Sequence, residues 1–202
     1  MNDLAHLYLA RPEPLSRMGN LLGDHRRGVD CSGLPQAVLR GLANHQAVDA
    51  FTDAHPLVQQ ARTWFSPARR RFAGVALDVL FDHFLVRHWS RFADQPLDPW
   101  VDAIYRDLEG VKAVMPASMR GVLDRRMEHD WLRRYDSLDT VARVLDGLAD
   151  RIRFRNGFAG MIREIEPLEN QLEKQFLDFF PRLVGHVDGQ ALEYPDSGQI
   201  GP

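Results

Sequence analysis

Apolar residues recur at three- and four-residue intervals along almost the whole chain, which is the spacing of helices that bury one stripe. No stretch keeps the strict alternation between turn formers that strands and hairpins require. The pattern predicts an all-α fold, a single-domain helical bundle. Helices are predicted from about Leu15 to Leu22, Pro35 to Thr52, Pro56 to Phe65, Pro67 to Phe92, Pro96 to Val114, Pro116 to Tyr135, Leu138 to Arg153 and Pro167 to Val184. A weakly helical start precedes them in "NDLAHLYLA". Most of the predicted starts carry Pro in the first turn, where its missing N–H removes nothing the helix would use. After Val184 the periodicity fades into "DGQALEYPDSGQIGP". Residues 1–184 are therefore expected to form the domain, and 185–202 a poorly ordered tail.

The stretch "ALDVLFDHFLVRHW" interrupts an apolar helical run with Asp78 and Asp82. On an ideal helix these two lie about 40° apart on one face, which Leu85 and Trp89 share. A buried ionised carboxylate costs several kcal/mol unless it is paired or bound to a metal, and two side by side repel. In "LPQAVLRGLANHQAVDAFTD", His45 and Asp49 repeat the i,i+4 arrangement beside Val38 and Leu42. Two such helices could face each other across a bundle and hold a cation; buried Asp–Arg or Asp–His pairing is the alternative for either helix alone. Asp24 in "GNLLGDHRRG" stands where a helix ends, and His6 stands in the apolar start. His83 follows Asp82 but points about 100° away from it.

Composition narrows the class. The chain has 202 residues, 45% hydrophobic and 26% charged, as in ordinary globular proteins. A formal net charge of −3 gives no global basic field and no indication of nucleic-acid binding. Of the 25 basic residues only Lys112 and Lys174 are lysines, leaving 23 arginines, clustered at Arg26-Arg27, Arg69-Arg70-Arg71, Arg125-Arg126 and Arg133-Arg134. Guanidinium forks suit carboxylates and phosphates, so such clusters could meet an acidic partner or stand as solvated helix faces. The one cysteine, Cys31, rules out an internal disulfide and a CxxC zinc site, and no run is long enough to span a membrane. A soluble, cytoplasmic protein is expected. Phosphate loops, G-x-S-x-G, HExxH and EF-hand patterns do not occur.

Five segments, "LAHLYLA", "GNLLGDHRRG", "HQAVDAFTDAHPLVQQARTWF", "LDVLFDHFLVRHWS" and "EHDWLRRYDSLDTVARVLDGLA", resemble the acyl carrier protein phosphodiesterase family in order and spacing over roughly Met1 to Arg182. The resemblance implies a divergent, HD-like phosphohydrolase that removes the 4′-phosphopantetheine arm from holo-acyl carrier protein. Manganese or another divalent cation would support the reaction. It implies metal-site positions at Asp24, His45, Asp49, Asp78 and Asp82, with His6 or His83 serving the leaving group or the phosphate. Here the order is Asp82-His83, the reverse of the usual His-Asp doublet. Because carrier proteins are small and acidic, Arg26 and Arg27 beside Asp24, then Arg69, Arg70 and Arg71, are the expected partner contacts. An HD-type nucleotide phosphohydrolase and a non-catalytic helical binding module are the competing readings.

Overall fold

A computed structural model describes residues 1–151 and 158–194. Among them the chain is α-helical, with short 3-10 turns between some helices and no strand. The α-helices are α1 (Asp3–Leu9), α2 (Pro14–His25), α3 (Gln36–Ala54), α4 (Pro56–Thr63), α5 (Ala73–Arg87), α6 (Trp89–Phe92), α7 (Leu97–Gly110), α8 (Ala117–Glu128), α9 (Leu138–Asp150), α10 (Ile162–Ile165) and α11 (Glu169–Gln190). No helix of the described residues is long and apolar enough to cross a membrane.

α5 is the centre of the bundle. Ala76, Leu77, Val79, Leu80, Phe81, Phe84 and Leu85 are all buried, so its faces are covered nearly all round, as its unbroken apolar run requires. Phe81 and Phe84 pack against Phe176 of α11, which stacks on Phe180 with ring centroids 5.1 Å apart. Aromatic burial on this scale supplies much of the hydrophobic driving force.

α2 and α3 form the most extensive helix pair. Their approach depends on two glycines: a Cβ on Gly19 would lie 2.2 Å from the Val38 carbonyl oxygen, and one on Gly41 would lie 2.4 Å from that of Ser16. Only a side chain of hydrogen lets the backbones meet so closely. That approach brings the C-terminal turn of α2, with Asp24, against His45 of α3.

Several predicted boundaries move, for tertiary reasons. The helix expected from Pro67 begins only at Ala73, because Ser66 donates through its backbone N and its hydroxyl to Glu164, and Arg70 donates to the carbonyls of Thr63 and Phe65. The helix expected through Tyr135 breaks after Glu128. Asp130 adopts a left-handed backbone (φ 48°) and accepts from Tyr105 and Arg133, and a 3-10 turn over Trp131–Asp136 follows. At the C-terminal end α11 runs six residues past Val184, and Glu193 is buried, accepting from the Arg11 backbone N at 2.7 Å, from the Ser16 hydroxyl, and from Asn20 Nδ2 at 3.0 Å. Arg153 and residues 195–202 of the expected tail lie outside the described residues.

Candidate metal centre

α1 is seven residues long, too short to persist alone. It is held from outside its own sequence: the Asp82 carboxylate on α5 accepts from the Leu4 N at 2.9 Å, the Ala5 N at 3.0 Å and Asn2 Nδ2 at 2.9 Å. A carboxylate at a helix N-terminus satisfies orphan N–H groups and complements the helix dipole. Asp82 is wholly buried; burial pushes its pKa up, to about 8, against the pull of those donors.

So anchored, α1 presents His6 to α3. The His6 and His45 rings stack with centroids 3.8 Å apart and planes 20° from parallel. Both Nε2 atoms face Asp49, His6 at 3.1 Å from Oδ1 and His45 at 3.1 Å from Oδ2. The i,i+4 spacing places Asp49 one turn from His45, and α1 delivers the third group. Asp24 Oδ1 stands 4.0 Å from His45 Nε2 with half its side chain exposed. Asp78, from α5, is joined to Asp49 through a cation: the Met1 ammonium lies 3.0 Å from Oδ1 of each.

The electrostatics follow from this packing. Burial works against the charge on the Met1 ammonium, but Asp78 and Asp49 outweigh it and lift its pKa to about 10. Burial opposes the Asp49 charge too, yet His45, His6 and the ammonium hold the carboxyl far below the ordinary carboxylate range. His6 is driven down to about 4, chiefly by burial, despite its contact with Asp49. His45 is also desolvated, but Asp49 and Asp24 raise it above the usual imidazole value. Burial raises both Asp24 and Asp78.

The donor set suits a divalent cation. Among the described residues, His6, His45 and Asp49 are the one group of three or more His, Cys, Asp or Glu whose ligand atoms all lie within 4.8 Å of one another. Buried His6 makes no well-aligned hydrogen bond at either ring nitrogen, an arrangement that ordinarily needs a further partner. Two imidazole nitrogens with carboxylate oxygens match Mn²⁺ and its neighbours. The ammonium between Asp49 and Asp78 marks where a positive charge is favoured.

The residues singled out from the sequence divide in two. His6, Asp24, His45, Asp49 and Asp78 converge. Asp82 is not in that group: it shares a face of α5 with Asp78, and both meet the start of the chain, but Asp78 meets the Met1 ammonium while the α1 backbone occupies the Asp82 carboxylate. His83 is fully buried with Nδ1 2.7 Å from the Tyr135 carbonyl oxygen, and it points away from the cluster as its angular offset from Asp82 predicts. Arg26 and Arg27 are exposed at the end of α2. Arg69 instead bonds the Gly160 carbonyl and pairs with Glu164, Arg70 holds the 63–65 carbonyls, and Arg71 lies over the Phe72 ring. Asn2, which ties Asp82 to the Tyr135 hydroxyl at 2.8 Å, went unnoticed in the sequence. Its only signal there is its place just before a short apolar helix.

Comparison with known proteins identifies the family. The profile of the family described as "Acyl carrier protein phosphodiesterase" matches residues 1–183. Proteins named acyl carrier protein phosphodiesterase from Salmonella agona (strain SL483) and Salmonella newport (strain SL254) are each 34% identical over 193 residues, covering 95% of this chain and 100% of the relative. No solved structure matches. With a profile match over nine-tenths of its length and full-length relatives above 30% identity, this chain belongs to the acyl carrier protein phosphodiesterase family.

Proposed function

We propose that the protein hydrolyses the phosphodiester joining 4′-phosphopantetheine to the serine of holo-acyl carrier protein, using a divalent cation, Mn²⁺ by preference, at His6, His45 and Asp49, with Asp24 and Asp78 completing the site. The observation that carries this reading is the buried, stacked His6–His45 pair converging on one carboxylate beside two further aspartates. A cation bound there would supply Lewis acidity toward a phosphoryl oxygen and toward water.

Each residue of the chain has a distinct task in this reading. Asp49 would supply the anionic oxygens, facing Nε2 of both imidazoles. Asp82 acts at one remove, as a positioning residue, by fastening the helix that carries His6. His83 fastens α5 to the 131–136 turn and does not meet substrate. As water bonds to phosphorus, the bond from phosphorus to the serine oxygen breaks; one proton leaves the water and one reaches the serine oxygen. Asp24 is half exposed and adjacent to His45, at the rim of the group, so we give it the proton transfer. A carrier-protein substrate, with a lone cysteine in the chain, favours a cytoplasmic setting.

The test has two steps. Protein stripped with chelator and titrated with Mn²⁺ should bind the metal, and the loaded protein should shift holo-carrier to apo-carrier in a mass assay with release of 4′-phosphopantetheine. Metal binding with turnover only of nucleotides would support the nucleotide phosphohydrolase reading, and neither metal nor turnover would leave a helical binding module.

A further inference from the structure

Two adjoining cavities of about 270 and 470 Å³ run along the face made by α8, the 131–136 turn and α9, and they share Arg126, Trp131 and Arg151. Their walls carry five guanidinium groups, Arg125, Arg126, Arg134, Arg143 and Arg151, against one carboxylate, Asp3. Asp3 is already paired with Arg126 and accepts from the Trp131 indole at 3.2 Å. Arg143 is steadied by the Thr140 hydroxyl at 2.7 Å. Among the described residues Arg125, Arg134 and Arg151 are exposed and have no carboxylate at salt-bridge distance. In a chain of net charge −3, so much unneutralised positive charge in one groove is a segregation that repels itself until something negative lies in it. Between the arginines the floor is apolar, from Val79, Val144 and Leu148.

The groove adjoins the candidate metal centre. Its inner wall includes Asn2 and Asp3 at the start of α1, one turn before His6, and α8 packs on α2, which carries Asp24. Position matters here because the phosphorus to be attacked is bonded directly to the carrier's serine oxygen. The body of the carrier must therefore sit against the metal centre, and a distant basic patch could not serve. Arg69 is engaged with the Gly160 carbonyl and Glu164, and Arg70 with the carbonyls of Thr63 and Phe65.

We propose that this arginine-lined groove is the docking surface for an acidic, partly apolar helix of the carrier protein, a proposal that rests on the carrier-protein reading above. Guanidinium forks would pair with the helix carboxylates while its apolar residues meet the floor, fixing the register that brings the serine to the metal centre.

Two variants test it without touching the metal group. One is Arg125→Glu, Arg134→Glu and Arg151→Glu combined. The other is Gly147→Glu, which puts a negative side chain into the groove at a helical position where a Cβ meets nothing within 4 Å. Two readouts are needed: kcat/KM on holo-carrier and on bis-p-nitrophenyl phosphate, and fluorescence anisotropy of labelled apo-carrier, which has no bond to cleave, at low and high salt. For the triple variant, kcat/KM on holo-carrier should fall by about tenfold or more, mainly through KM, with activity on the small ester within about twofold. Apo-carrier binding should weaken in parallel and lose salt dependence. Gly147→Glu should act in the same direction. If wild type cleaves holo-carrier and both variants match it in turnover and in apo-carrier binding, the groove is not the docking surface and the catalytic reading stands. If both substrates suffer equally, these residues serve the metal centre and docking is refuted. Wild type that neither binds nor cleaves carrier overturns the function and the groove together.

Discussion

Replacing Asp82 by Asn separates anchoring from metal binding. The carboxylate faces three N–H donors, with Oδ2 taking the Leu4 N and Asn2 Nδ2, and Oδ1 taking the Ala5 N. An amide offers one oxygen. In its better orientation that oxygen keeps the two bonds at the Oδ2 position and turns an NH2 toward the Ala5 N–H. Below its raised pKa Asp82 is neutral, and the loss is then one hydrogen bond with a buried N–H left without partner, ~1–3 kcal/mol. A loss of about 3 kcal/mol corresponds to a fall in Tm of roughly 6–12 °C for a chain of this size. The comparison is Asp49→Asn, whose side chain is 40% exposed and whose neighbours are a cation and imidazoles. Thermal and urea unfolding by circular dichroism at about pH 6, below the raised Asp82 pKa, where wild type carries no cost for burying a charge, should show Asp82→Asn destabilised. Asp49→Asn should lose less stability while losing Mn²⁺ binding in calorimetry. Asp82→Asn should retain metal binding, weakened through a looser His6. If Asp82→Asn unfolds within about 0.5 kcal/mol of wild type, a margin typical of surface substitutions, or if it abolishes metal binding with stability intact, then Asp82 is a ligand and not the clamp on α1.

Other consequences can be checked independently. A Cβ at Gly23 would stand 2.1 Å from Cδ2 of the His45 ring, so Gly23→Ala should displace that imidazole and weaken Mn²⁺ affinity by at least about tenfold with secondary structure retained, as calorimetry and circular dichroism would show. His6 has a folded-state pKa lowered to about 4 from 6.5. Neutral His6 therefore stabilises the fold above pH 6.5, and that stability, ~3 kcal/mol, is lost as pH falls toward 4. Because His45 contributes the opposite slope, the readout is how much of the metal-free pH dependence of unfolding disappears in His6→Gln. Mn²⁺ at a hundredfold excess over its Kd should stabilise chelator-stripped protein by about 2.7 kcal/mol in thermal unfolding, and His45→Ala should abolish the gain. Exposed Arg26 and Arg27, changed together to Glu, should impair turnover of holo-carrier more than of bis-p-nitrophenyl phosphate, with the defect shrinking as salt rises.

The sequence by itself determined the helical class and most of the converging residues, because both are local. The 3.6-residue period appears in the order of residues, and an i,i+4 pair such as His45 and Asp49 shares a face wherever the helix goes. Carboxylates inside the α5 apolar run likewise announced that something must neutralise or cap them. Only the tertiary structure decided which partner each one received. Asp78 and Asp82 are neighbours on one helix, yet one meets a cation beside Asp49 and the other meets the backbone of α1, a distinction set by the chain that packs over them. The same holds where helices stop: Glu164 and Asp130 draw residues 66–72 and 129–136 out of helices that local pattern would continue, because a tertiary hydrogen bond can outweigh a propensity of a few tenths of a kcal/mol. Arg125, Arg126, Arg134, Arg143 and Arg151 look alike in sequence to Arg69 and Arg133. Folding pairs the latter two with carboxylates and leaves most of the former facing one groove, and charge acts through distance in space, which the sequence does not contain.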